Sequence, residues 1–174
     1  MIIDNDKLFK IVKEESDFRR VCPVSIMALI NIESSFDMHA IRTEKQNPWL
    51  YRCDYYARKN NITIHTEETL QHCSFGLMQI MGSTARSPLN FHGNLLRLTD
   101  PKLNIHYGVK YFAWLKRRYP IGTDDDIASA YNGGHPMRRK GVKGYLNQSY
   151  VDSWHRAKNK IFTNMGKNLN ETQT

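Results

Sequence analysis

No apolar stretch in this 174-residue chain approaches the ~20 residues a helix needs to cross a bilayer, which excludes a membrane-embedded helical protein. Cysteine is scarce. Cys22, Cys53 and Cys73 are odd in number and form no closely spaced set, so a disulfide framework is not expected and buried thiols are the simplest reading. His65, His72 and Cys73 come nearest to a metal-ligand set, but their spacing fits no standard zinc pattern, and neither a metal nor an organic cofactor is expected. Internal repeats, heptads and low-complexity runs are also missing. The first residues, Met1 to Lys7, lack the basic start and long apolar core of a secretory signal, so synthesis in a cytoplasm is expected, with any export achieved by other means.

What is present suits one domain able to bury its own core: 40% of residues are hydrophobic and 24% charged. The 25 Lys and Arg outweigh 17 Asp and Glu, and the net charge of +8 favours a polyanionic partner such as nucleic acid, an anionic membrane face or an acidic wall polymer. The cations are spread thinly, with clusters at Lys116-Arg117-Arg118 and Arg138-Arg139-Lys140, and no nucleic-acid-binding motif is present, so nucleic acid falls behind the wall polymer.

Periodicity predicts a mainly helical chain. A first amphipathic helix over about Asp6 to Arg20 places Leu8, Ile11, Val12 and Glu15 on one face. From Pro23, where a first turn tolerates proline, a second helix runs to about Ser34 with Ile26, Leu29 and Ile30 as its apolar stripe. Glu33 continues that stripe. A carboxyl so placed loses water and its pKa rises, as a proton donor requires, although a core-edge glutamate paired with a cation would look the same. Residues 41–73 read as a polar insertion with a little helix of its own, holding Trp49, Tyr51, Tyr55 and Tyr56; at most a small β-hairpin is expected near residues 62–80. Asp100-Pro101 starts a helix whose stripe of Ile105, Val109, Phe112, Leu115 and Tyr119 ends at Pro120, placing Lys116, Arg117 and Arg118 in the last turn, where cations complement the helix dipole. Asp124, Asp125 and Asp126 open a short helix that carries Ile127, Ala130 and Tyr131 to a stop at Asn132-Gly133-Gly134. A last helix spans Gln148 to Met165 with Val151, Trp154, Ile161 and Met165 inward, so the domain is expected over 1–165, followed by a fraying polar tail over 166–174.

Four stretches then line up in order: Glu33-Ser34-Ser35-Phe36, Ser74-Phe75-Gly76-Leu77-Met78-Gln79-Ile80-Met81, Asn104 through Gly108 to Tyr111, and Ala130-Tyr131-Asn132-Gly133-Gly134. Over roughly residues 20–155 the chain resembles the lytic transglycosylase family of the lysozyme-like superfamily. The resemblance implies cleavage of the β-1,4 bond between N-acetylmuramic acid and N-acetylglucosamine in peptidoglycan, with a 1,6-anhydro product and without a cofactor. It assigns Glu33 as the acid, Tyr131 and Asn132 beside it, and Ser34, Ser74, Gly76, Leu77, Met78, Gln79 and Ala130 as groove residues, with Gly76 letting the backbone approach the sugar.

The chain departs from the common pattern where Gly76 follows Glu33 by 43 residues, against about fifteen in the family. The long intervening block and the run Tyr145 to Val151 look like those of phage-type members, implying an endolysin or virion-associated lysin, monomeric, that reaches the wall through a holin or from outside. Asp37 is the nearest second carboxylate, more simply a turn cap. Two rivals stand beside this expectation: a hydrolytic muramidase on the same fold, and a wall-binding virion protein without activity.

Overall fold

The computed structural model describes residues 5–44 and 48–171. Helix α1 (Asn5–Arg19) buries Leu8 and Val12 and leads into α2 (Pro23–Ser34), whose residues Ser25 to Ile30 are all buried. A helix hydrophobic on nearly every side must lie inside the fold, and α2 does: α1 covers one side and α8 (Gln148–Glu171) packs along another. Trp154 of α8 is fully buried and its indole N–H donates to the Ser25 carbonyl at 3.1 Å. Ser35 and Phe36, with φ of +52° and +67°, end α2 abruptly, which leaves Glu33 in its last turn.

Three short antiparallel strands follow in spatial order β1 (Ile41–Thr43), β2 (Cys73–Phe75) and β3 (Ile80–Met81). Ile41 lies opposite Phe75, Thr43 opposite Cys73, and Ser74 opposite Met81. The sheet is therefore larger than the expected hairpin. Its first strand lies outside 62–80, because an exposed three-residue edge with no apolar alternation carries no strand signal. Between β1 and β2 the insertion forms two helices, α3 (Cys53–Asn60) and α4 (Ile64–Gln71), packed on each other, rather than one. Their core is partly ionic: Arg86 and Glu67, both fully buried, make paired bonds of 2.7 and 2.8 Å, and the guanidinium lies 4.2 Å from the Tyr56 ring.

After α5 (Gly82–Arg86) and a 3-10 turn (Leu95–Thr99), α6 (Pro101–Arg118) starts as expected: the Asp100 side chain accepts from Leu103 N–H at 2.8 Å. Helix α7 (Asp124–Gly133) begins with a capping box between Thr123 and Asp126 and ends at Gly134, φ +76°. Asp126 is more than a cap. Buried at the start of α7, it binds Arg138 and the Tyr145 phenol, which ties the loop after α7 back onto the helix, and these bonds hold its carboxyl far below the usual range. The last helix runs on to Glu171, past the end expected at Met165, whose side chain lies outside the described residues. Cys73 is buried, Cys53 is half-buried, and Cys22, expected inside, is exposed because it is the N-cap residue of α2 at the surface; all three are free thiols. Among the described residues no helix is long and apolar enough to cross a membrane.

Because Trp154 fills the α2–α8 contact, Trp154→Ala should lower unfolding stability by ~3–5 kcal/mol in urea melts. An unchanged midpoint would mean the core lies elsewhere.

Candidate active site

A groove of about 930 Å³ is lined by Glu33 from α2, by Arg42, Ser74, Gln79, Ile80 and Met81 from the sheet region, by the segment Pro48–Tyr51, and by Tyr111, Arg118 and the end of α7 from Tyr131 to His135. Glu33 Oε1 accepts a 2.5 Å hydrogen bond from the Tyr150 phenol. Arg42, from β1, donates to the backbone carbonyl of Glu33 at 2.6 Å, satisfying one of the acceptors that a helix end leaves open. Burial pushes the Glu33 carboxyl above the ordinary glutamate range; the Tyr150 bond and the Arg42 charge pull against that rise, and the charge of Glu44 adds to it.

The loop from Phe75 to Gln79, between β2 and β3, is buried throughout, and four successive carbonyls in it are each taken by a different side chain. Phe75 O accepts from Asn104 Nδ2 at 2.7 Å, Gly76 O from Gln79 Nε2 at 2.8 Å, Leu77 O from Ser34 Oγ at 2.9 Å, and Met78 O from the Tyr131 phenol at 2.9 Å. Asn104, fully buried in α6, also accepts from Met78 N–H at 2.8 Å and donates to Leu98 O at 2.7 Å. Buried backbone groups need partners, and here the four motif stretches supply them.

Several expected site residues therefore sit beneath the groove. Ser34, Gly76, Leu77, Met78 and Ala130 are buried and do not line it, whereas Glu33, Ser74, Gln79, Tyr131 and Asn132 do. The glycine at position 76 is needed for a close approach within the protein itself. At φ +68°, a Cβ there would stand 2.6 Å from Asn104 Nδ2 and 2.7 Å from Leu98 O. Tyr131 spends its proton on Met78 O, and burial and the nearby Glu33 push its phenol well above the usual tyrosine range. The phenol on the acid is that of Tyr150, which the family resemblance covers only within the Tyr145–Val151 run. Its position one residue before the inward Val151 and four before Trp154 was the available signal. Asn132 is exposed; its Oδ1 accepts from Asn147 Nδ2 at 3.0 Å, which fixes the amide's orientation. Gln79 likewise has both ends engaged: Oε1 accepts from Ser74 Oγ at 2.9 Å and Nε2 donates to Ala40 O at 3.0 Å. Asp37 is exposed, its carboxylate accepting from His39 N–H at 2.9 Å, away from the groove lining.

The aromatic residues of the insertion divide. Tyr56 is core, with Tyr55 packed edge-on against it, while Trp49 and Tyr51 line the groove. Within the cationic cluster, Lys116 pairs with Asp124 at 3.7 Å, and Arg118 lines the groove and lies 5.2 Å from the Trp114 ring. Among the described residues no group of three or more His, Cys, Asp or Glu is placed to hold a metal ion.

A mainly helical body, a three-stranded sheet beside a groove, and a half-buried glutamate at a helix end define the lysozyme-like class. Within it, residues 10–150 match the transglycosylase SLT domain family, and the chain belongs to that family. It is a lytic transglycosylase acting on the glycosidic bonds of peptidoglycan. No curated protein and no solved structure matches the chain.

Since one amide satisfies three backbone groups around the loop, Asn104→Ala should destabilise the fold by ~1–3 kcal/mol for each group left unpaired. Denaturant melts that coincide with the wild type would show that the amide does not hold the loop.

Proposed function

We propose that Glu33 is the single acid of the reaction and that its target is the β-1,4 bond between N-acetylmuramic acid and N-acetylglucosamine. One observation carries this: the half-buried carboxyl ends an apolar helix, opens on the groove, is raised in pKa by burial, and is bonded by a phenol rather than by a cation. Burial keeps it protonated to higher pH than a free glutamate, so it can give its proton to the glycosidic oxygen as that bond breaks. The resulting carboxylate takes the proton of the sugar's own 6-hydroxyl, whose oxygen closes onto the anomeric carbon. The products are a free hydroxyl on the leaving sugar and a 1,6-anhydro ring; no water is consumed, and Glu33 ends protonated as it began.

Asn132 and Tyr131 stand in the same lining, and the Asn132 amide is suited to an N-acetyl group. The insertion over 41–73 and the 145–151 run, which resemble phage-type members, support a role as an endolysin or virion-associated lysin, made in the host cytoplasm, monomeric, and reaching the wall through a holin or on a virion. Glu44 supports a second reading. This acid follows β1, lines the groove with Glu33 and raises its pKa by its charge, so it could activate a water and make the enzyme a hydrolase.

Mass spectrometry of products from purified peptidoglycan, before and after borohydride reduction, separates the two. Single-acid chemistry gives ends one water lighter and resistant to reduction; reducible muramic ends would establish hydrolysis. Glu33→Gln should abolish release while leaving the fold intact, and should not lyse cells when co-expressed with a holin that lets the wild type do so. Retained lysis would remove Glu33 from the reaction.

Tyr150 favours the carboxylate of Glu33, so Tyr150→Phe should raise its pKa further. The alkaline limb of the rate profile, where the acid loses its proton, should move to higher pH in that variant. A limb that stays put or moves down would show that Tyr150 does not act on the acid.

A further inference from the structure

We propose that the rings of Trp49 and Tyr51, with Leu50 between them, form an apolar platform on which a hexosamine ring of the glycan strand stacks, a binding subsite supplied by the insertion and separate from the four motif stretches. The inference rests on the groove being the glycan groove. Three consecutive large hydrophobic residues are 76%, 40% and 41% exposed there, and all three line the same groove as Glu33. A contiguous exposed apolar patch inside a groove marks a binding surface more than an accident of composition. The substrate class says what covers it: a pyranose ring carries an apolar face of C–H groups, and an indole or phenol ring offers a flat apolar surface with a polar edge.

The segment is also held in place at unusual expense. Gln71, fully buried at the end of α4, clamps the Tyr51 backbone from both sides, accepting from its N–H at 2.7 Å and donating to its carbonyl at 3.0 Å. The same amide donates to Glu67 at 2.9 Å, Glu67 is paired with Arg86, and Arg86 also donates to the carbonyls of Phe91 and Gly93 at 2.8 and 2.7 Å. A buried ion pair seldom adds stability over apolar residues of the same volume, but a fully bonded one fixes geometry. Here the geometry it fixes ends at Tyr51, on the groove. Residues 48–51 lie in neither a helix nor a strand, and this chain of contacts anchors the strap at Tyr51.

The test uses the full chain carrying Glu33→Gln, so that ligand is not consumed, titrated calorimetrically with β-1,4-linked N-acetylglucosamine oligomers from disaccharide to hexasaccharide and with glycan strands from purified peptidoglycan. Adding Trp49→Ala, a change at an exposed side chain, should weaken binding of strands long enough to reach from Glu33 to the strap by roughly two- to tenfold, as expected for one aromatic contact. Trp49→Phe should recover most of that loss, which a merely structural role would not predict. Equal affinities at every length in the two proteins would overturn the platform, and so would absence of glycan binding in the Glu33→Gln parent. Digests by the otherwise wild-type chain keep the two readings apart: anhydro products released with unaltered length distribution by Trp49→Ala would sink the platform alone, whereas no products from the wild type would sink the enzyme reading as well.

Discussion

The site depends on four consecutive carbonyls, those of Phe75, Gly76, Leu77 and Met78, which point into protein and must be bonded there. Each unpaired one would cost ~1–3 kcal/mol, so the loop can be buried only if side chains arrive from several elements together. Ser34 comes from α2, Gln79 from the loop itself, Asn104 from α6 and Tyr131 from α7. These bonds lock the end of the acid-bearing helix, the sheet and the opposite wall to a single short loop. The four motif stretches thus share a structural cause for occurring together, whatever each does for the substrate.

Glu33 is placed by the same economy. Helix α2 cannot turn to show its glutamate to water without exposing Ile26, Leu29 or Ile30, and α8 fixes it twice in antiparallel fashion: Trp154 bonds Ser25 near its start, and Tyr150, one turn away on α8, bonds Glu33 near its end. Folding energy from the Trp154 contact therefore also sets the distance between a phenol and an acid. Arg42 closes the arrangement from β1, bonding the backbone of Glu33 and leaving its carboxyl to Tyr150.

Local signals in the sequence were enough for several helix ends and for the side of α2 that carries Glu33. Pro23 marks the first residue of α2, Asp100-Pro101 starts α6, Asn132-Gly133-Gly134 stops α7, and the i, i+3, i+4, i+7 spacing puts Glu33 on the apolar face. What stayed hidden depends on partners far along the chain. Tyr150 lies 117 residues from Glu33, and the family resemblance places Tyr131, not Tyr150, beside the acid. Glu67 and Arg86 stand in polar sequence where charges are ordinarily solvated, and nothing local marks this pair as buried. Gly76 illustrates a subtler gap: its need for positive φ is readable, but the atoms that crowd it come from Leu98 and Asn104.

On the single-acid reading, one carboxyl must donate a proton and then accept one within a turnover, which sets two opposed demands on its pKa. Too low, and the acid is ionised before the glycosidic oxygen needs its proton; too high, and the carboxylate is not released from its proton in the first step. Desolvation alone would drive Glu33 toward the second failure. Tyr150 counters this by a bond that favours the carboxylate, and Arg42 by its charge, while the Tyr150 phenol, pushed well above its usual range by burial and by Glu33, stays a donor throughout. Glu44 works against both but with the smallest of these effects, so the balance of burial against the Tyr150 bond chiefly sets how far the acid is raised, and the charges of Arg42 and Glu44 trim it.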